Sequence, residues 1–302
     1  MRAPRSLLTI AIATLCATAF AAPPDWGTPT AKRPTGMPQV NNTIPAFAPH
    51  VDREGNWTQV PGCARDIAGG AKDVIYVTGC DVVPGSRGSS QFYRWNGSAF
   101  DPFPVEGHGS AIATHGFYSY TVGGDAMLYS RAGEGAWETR GTPNGHPITD
   151  VGAGKGGLWV VTSQPNGEGG NAIARAMPCT GGGTLLGEKD FCGWEEVPGA
   201  AVRISVGETA WVVNAQGQIF EWQDNAGGYW LKRPGCFSDV AANGNTVYAV
   251  GCSRGDGDGR AVYRWTYSGW SDARVAGKRV GVDAMGQAWV VTDSGKILRR
   301  SL

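Results

Sequence analysis

The sequence predicts an all-β chain folded as a six-bladed β-propeller, and three observations carry that reading. The first is a unit of four short runs that recurs along residues 56–302. It is clearest as Trp194-Glu-Glu-Val-Pro-Gly, Val202-Arg-Ile-Ser-Val-Gly, Ala210-Trp-Val-Val and Gly217-Gln-Ile-Phe-Glu-Trp222. Each run is a few apolar or alternating residues bounded by Gly, Pro or Asn, as short strands joined by turns require. The second is glycine: 47 residues, roughly twice the usual 7% share, placed between runs at repeated offsets as turn residues. No sustained 3.6-residue apolar period follows residue 22. The third is the frame. The chain enters the array on a Trp run and ends on the third run of a unit, Lys296-Ile-Leu-Arg-Arg300. The Trp57 run is therefore expected to complete the last blade as its outer strand and close the ring without leaving an open edge.

From the N-terminus, Arg2 and Arg5 precede an apolar run from Leu7 to Ala17 and then Ala19-Phe-Ala21. This is the pattern of a secretory signal peptide, residues 1–21, cleaved after Ala21. The apolar run is shorter than the ~20 residues of a membrane span, and Leu15 is too large for lipid attachment at Cys16. Cleavage leaves 24 basic and 26 acidic residues with no block of like charge, which argues against nucleic acid or anionic lipid as partner. The expected location is periplasmic or extracellular. Residues 22–55 hold seven prolines and little apolar periodicity, the composition of an extended linker or tail.

Six copies of the unit follow, opening at Trp57, Phe100, Trp137, Trp194, Trp230 and Trp270, spaced by 43, 37, 57, 36 and 40 residues. Six cysteines remain after cleavage, an even number in an exported chain. Pro61-Gly-Cys63 with Thr78-Gly-Cys80 mirrors Pro234-Gly-Cys236 with Val250-Gly-Cys252. In each pair one cysteine opens a strand and the other closes its antiparallel neighbour, which brings Cα atoms within disulfide reach. Cys179 and Cys192 bracket the insertion that lengthens the third copy. The expected bridges are Cys63–Cys80, Cys179–Cys192 and Cys236–Cys252; with no Cys-x-x-Cys pair, zinc is not expected.

The turn after the second strand alternates in length. Copies two, four and six carry tight turns at Gly123-Gly-Asp125, Asn214-Ala-Gln-Gly217 and Asp293-Ser-Gly295, whereas copies one, three and five carry Gly-rich loops over 81–90, 163–171 and 253–260. Long and short loops thus alternate around the ring, predicting a three-fold arrangement with all long loops on one face, together with the turns into each first strand, including His108 and His146.

The Trp-x-x-Val-Pro-Gly opening, the Ile-Ser-Val-Gly strand, the Trp-Val-Val strand and the Gly-x-Ile-Phe-x-Trp ending resemble tectonin repeats, a family that includes tachylectin-like and fish-egg lectins. The resemblance spans residues 56–302. It is closest in copies four to six and poorest in copy two, where Phe100 replaces Trp and the Gly-Ile-aromatic ending is missing. It implies a propeller lectin that binds saccharides on microbial surfaces at repeated sites between or above blades.

The residues themselves point the same way. The mature chain has four histidines, no Gly-x-Ser-x-Gly elbow and no His-Glu-x-x-His motif, so no enzyme and no cofactor is expected. Asp256-Gly-Asp258-Gly259 could open a Ca²⁺ loop, but the later ligands are missing and a solvated acidic turn is the better reading. Sugar binding needs an aromatic face and planar polar groups. The long loops supply Arg87, Asn166, Glu168, Asn171, Asp256, Asp258 and Arg260, and the strand-ending Trp95, Trp222 and Trp265 are candidate platforms. The expected function is a secreted lectin with several weak sites for surface glycans or polysaccharide. A protein-interaction scaffold of the envelope or secretion pathway is the alternative, and a propeller hydrolase or lactonase the third reading.

Overall fold

The repeated runs pair as six antiparallel sheets, each stepping outward through four strands, with a short fifth strand, His108–Gly109, added to the first. The computed structural model describes residues 56–70, 74–102, 107–133, 135–167, 169–179 and 191–301. The predicted signal peptide, the Pro-rich segment, residues 180–190 of the insertion and Glu168 lie outside the described residues. Blade 4 shows how the sequence builds a unit. Arg203–Val206, Ala210–Val213, Ile219–Gln223 and Tyr229–Arg233 are four or five residues long, and Ala-Trp-Val-Val is buried at every position. That run is continuously apolar because neighbouring blades cover both of its faces, whereas the outer strand keeps polar residues towards solvent.

The outer strand of each blade belongs to the next copy of the repeat: Phe100–Pro102 completes blade 1, Glu138–Gly141 blade 2, Phe191–Ala201 blade 3, Tyr229–Arg233 blade 4 and Gly269–Gly277 blade 5. Blade 6 is completed across the termini as the frame predicts. Trp57–Val60 pairs with Ile297–Arg300 in the register Trp57↔Arg300 to Val60↔Ile297. The Trp57 indole donates to the Ala273 carbonyl at 2.9 Å, and the Ser301 amide donates to the Asn56 carbonyl at 2.8 Å. The inner strands Ala64–Gly69, Ala111–His115, Ile148–Gly154, Arg203–Val206, Phe237–Asn243 and Arg279–Val282 stand side by side around the axis, the last beside the first.

Aromatic triads occupy three of the blade interfaces. Trp159, Trp222 and Trp230 meet with ring centroids 5.0–5.8 Å apart; Trp211, Trp265 and Trp270 meet at 4.9–6.2 Å; Trp289, Trp95 and Phe100 meet at 5.1–6.2 Å. Tilted and edge-on pairs of this kind add about 0.5–1.5 kcal/mol each beyond their area.

The three disulfides are Cys63–Cys80, Cys179–Cys192 and Cys236–Cys252, with Cα atoms 5.4, 4.9 and 5.4 Å apart. All are local to one blade. The long loops differ from expectation in form. The strands run on into them, to Val82, Asn166 and Arg254, and resume at Ser90, Gly170 and Arg260. Register shifts in all three hairpins mark bulges where the backbone bends. Continued pairing satisfies backbone groups that an open loop would leave to water. His108 likewise lies not in a turn but in a two-residue strand, with Gln91 opposite it.

Candidate functional site

The long hairpins of blades 1, 3 and 5 each lean on the tight turn of the following blade. The Ala215 amide donates to the Gly169 carbonyl at 2.9 Å, and the Asp293 amide to the Asp258 carbonyl at 3.1 Å. Between blades 1 and 2 the same arrangement leaves a cleft of about 390 Å³. Its upper wall is the hairpin tip around Gly85 and Arg87, and its opposite wall is the Gly123-Gly124-Asp125 turn; Tyr129, Trp137 and Phe92 line it deeper. Phe92 is fully buried and packs on Trp137 with centroids 5.6 Å apart. Beneath, the guanidinium of the buried Arg131 stacks on the Trp137 ring at 4.7 Å, which fixes the indole against its neighbour.

Polar groups converge over this aromatic wall. The Tyr129 hydroxyl donates to Asp125 Oδ2 at 2.5 Å, and the Met127 amide donates to Asp125 Oδ1 at 3.1 Å. Burial lifts the Asp125 carboxyl, but the bonds from Tyr129, Met127 and its own amide, with Arg87 nearby, bring it below the usual carboxylate value. The same bond to Asp125 pushes the Tyr129 phenol up. Tyr129 therefore stays protonated with its ring held in place, and Asp125 stays an anionic acceptor. Arg87 and His108 are exposed at the rim. Arg87 holds a positive φ of 54°, a conformation uncommon outside glycine. Two conformationally fixed aromatic surfaces, one carboxylate and one guanidinium around an open cleft can stack on an apolar ring face and hydrogen-bond the hydroxyls around it.

A related cleft of about 230 Å³ lies between blades 3 and 4, lined by Asn214, Gln218, Phe220 and Trp230 among others. Phe220 and Trp230 stand there where Tyr129 and Trp137 stand in the first cleft. The Trp230 indole donates to the Pro198 carbonyl at 2.7 Å. Asn214 is engaged within its turn, accepting from the Gln216 and Gln218 amides.

Of the residues singled out from sequence, Arg87 is brought into the cleft between blades 1 and 2. Trp95 and Trp222 are buried in the triads, and Trp265 is a half-buried triad member beneath the Arg233 guanidinium at 5.1 Å. Asn166 donates to the Gly199 carbonyl at 2.7 Å, and Asn171 pairs within its sheet opposite Pro165 and Ala201. Asp258 accepts the Ser294 amide at 3.3 Å and the Ser294 hydroxyl, bonds that hold its carboxyl below the usual value. Asp256 and Arg260 are exposed at the third hairpin, apart from the clefts just described. Among the described residues no group of three or more His, Cys, Asp or Glu is placed to hold a metal ion. Sequence reasoning did not single out Tyr129, Trp137 and Asp125 as site residues, because they occupy repeat and turn positions read as structural.

The channel along the axis carries a second polar arrangement. Asp66, Asp150 and Asp239 of blades 1, 3 and 5 and Arg203 and Arg279 of blades 4 and 6 face one another around it. About 50 Å³ of space remains between the inner strands.

No family model matches the chain, and no curated protein matches it. Similar solved structures include YCF48 from Cyanidioschyzon merolae, 14% identical over 80% of this chain and 98% of that one, with a TM-score of 0.47. Streptogramin B lyase is 14% identical over 83% and 98%, with a TM-score of 0.48. The extracellular domain of the one-component system BT4673 from B. thetaiotaomicron is 11% identical over 82% of this chain and 40% of that one, with a TM-score of 0.49. Among the described residues no helix is long and apolar enough to cross a membrane.

Proposed function

We propose that the chain is an exported carbohydrate-binding propeller of tectonin type, taking a neutral saccharide in the cleft between blades 1 and 2. The carrying observation is the wall of Tyr129 and Trp137 set beside Asp125 and Arg87 in about 390 Å³ of open space. A pyranose needs that combination: an aromatic surface for its C–H face, and a fixed acceptor and donor for adjacent hydroxyls. The resemblance of the repeats to tectonin lectins supports the same ligand class, and three disulfides fit an oxidising compartment. The smaller cleft between blades 3 and 4 offers a second, weaker position on the same face. Two weak sites presented to one polysaccharide surface would gain by avidity what each lacks alone.

The test is a glycan array followed by calorimetric titration of the best ligand with the parent, Arg87→Ala and Asp125→Ala. Both side chains are exposed, so neither truncation opens a cavity in the core. Each is expected to weaken binding about 10- to 150-fold, the size of one lost hydrogen bond to a charged group. Glycan binding that both variants retain in full would move the site elsewhere on the ring. A blank array together with recovery of a specific protein partner would favour the scaffold reading.

A further inference from the structure

The charged ring in the channel follows a rule that one blade breaks. In blades 1, 3 and 5 an aspartate near the start of the inner strand accepts the backbone N–H of the next inner strand. Asp66 accepts from Ile112 at 3.3 Å, Asp150 from Ile204 at 2.9 Å and Asp239 from Val280 at 3.0 Å. The residue just before each donor stands at the corner between two aspartates. At two corners it is arginine. Arg203 lies 3.7 Å from Asp150 and 3.8 Å from Asp239; Arg279 lies 3.9 Å from Asp239 and 3.6 Å from Asp66. At the third corner, between Asp66 and Asp150, it is Ala111.

Among the described residues the inventory around the axis is therefore Asp66, Ala111, Asp150, Arg203, Asp239 and Arg279, one from each inner strand, with no further titratable side chain lining the channel. Three carboxylates face two guanidiniums, which leaves one uncompensated negative charge among aspartate side chains only 7–16% exposed. Asp239 touches both arginines, whereas Asp66 and Asp150 touch one each and flank the corner that has no cation. Burying an unpaired charge costs far more than protonating it, so a carboxylate in that position takes up a proton.

We propose that the Asp66–Asp150 corner holds one proton in place of the arginine that blade 2 lacks, making the channel a proton-binding element that ties the stability of the closed ring to pH. The proton belongs to the coupled carboxylates jointly. Burial pushes all three aspartates up, Asp150 to about 6 and Asp239 well above its ordinary value; because Asp239 has a guanidinium on either side, at 3.8 and 3.9 Å, the geometry leaves the shared proton to the Asp66–Asp150 pair. The sign follows from linkage. A carboxyl raised in the folded state binds its proton more tightly there than in the unfolded chain. Its contribution is thus fully present below the unfolded value of about 4 and is lost as pH rises through about 6. The ring becomes less stable from mildly acidic to neutral pH, the opposite of what ion-paired carboxylates with lowered values produce.

Two measurements test this. Urea unfolding midpoints of the parent and Ala111→Arg are followed between about pH 5 and 7.5, the window set by the raised Asp150. The parent midpoint is expected to fall across that window, and Ala111→Arg, which supplies the missing cation, to flatten the fall. A folded Ala111→Arg protein with the parent's full pH dependence would overturn the proposal. Because arginine in a buried position can prevent folding, infrared spectra of the parent with isotopically labelled aspartate provide the second readout. Near pH 5.5, where exposed carboxyls with ordinary values of about 4 are ionised, one protonated-carboxyl carbonyl band is expected, reduced or shifted in Asp150→Asn. Absence of such a band in the parent would overturn the proposal whatever the variants do. Neither result depends on whether the cleft between blades 1 and 2 binds sugar.

Discussion

At the scale of single residues, the tight turns show how a side chain as small as a methyl is excluded. Gly217 and Gly295 end the turns of blades 4 and 6 with φ of 76° and 84°. Each sits under the disulfide of the next blade. A Cβ on Gly217 would meet Cys236 Sγ at 2.7 Å and Cys252 Sγ at 2.9 Å, and one on Gly295 would meet Cys63 Sγ at 2.7 Å. Blade 2 supplies the internal control. Ala126 holds the corresponding place with φ of 61°, and the Ile148 amide binds its carbonyl as Phe237 binds that of Gly217. Blade 3 has Pro147 and Ser163 where blades 1 and 5 have the bridge, so no sulfur stands over Ala126. Gly217→Ala is accordingly expected to cost about 2 kcal/mol, from the left-handed backbone and the sulfur contact together, lowering Tm by roughly 4–8 °C. In a Cys236→Ala/Cys252→Ala background the same change should cost less, because only the backbone part remains. Thermal unfolding of the four proteins decides it; an equal cost in both backgrounds would refute the sulfur contact.

At the scale of the element, the hairpins of the odd blades were legible as long and glycine-rich, but their use was not. The strand frame was readable because each run carries a short period and a Trp at a fixed place. The cysteine pairs were readable because two copies repeat them at the same offsets. The cleft was not, because it is assembled from a hairpin of one copy, a turn of the next and the outer strand of a third, and blade 2 is the poorest copy. Asp66, Asp150 and Asp239 were hidden for a similar reason, since only closure of the ring brings them together. Asn166 illustrates the ambiguity. Its residue type in a Gly-rich loop suggests ligand binding, yet its amide reaches back to the Gly199 carbonyl at 2.7 Å, beside the Ala215–Gly169 bond that docks the hairpin on blade 4. Asn166→Ala is expected to destabilise the fold by about 1 kcal/mol, one partly buried hydrogen bond, while leaving glycan affinity unchanged. Urea unfolding beside a binding isotherm separates the two roles. A loss of affinity without loss of stability would make Asn166 a ligand contact.

At the scale of the molecule, the ring depends on a four-residue strand far in sequence from the strand it covers. Without Trp57–Val60 the edge of Ile297–Arg300 would be an unpaired row of backbone groups. The Trp57 indole would leave Ala273, and the blade 6–blade 1 interface would lose Val60 from its core. A propeller distributes its core over blade interfaces, so opening one interface exposes apolar surface on both neighbours and weakens the cooperativity of the rest. The pairing begins at Trp57. Removing 22–55 from a chain that begins at residue 22 is therefore expected to leave the denaturant midpoint and slope nearly unchanged. Extending the deletion through Val60 should broaden unfolding into a non-cooperative transition and promote association through the uncovered edge. Chemical unfolding and light scattering on the two truncated chains check both statements. The contrast between them is the decisive quantity, because a general cost of shortening the N-terminus would affect both deletions, whereas loss of the closing strand affects only the longer one. Equal midpoints and slopes for the two chains would mean that the Trp57 strand does not hold the ring closed.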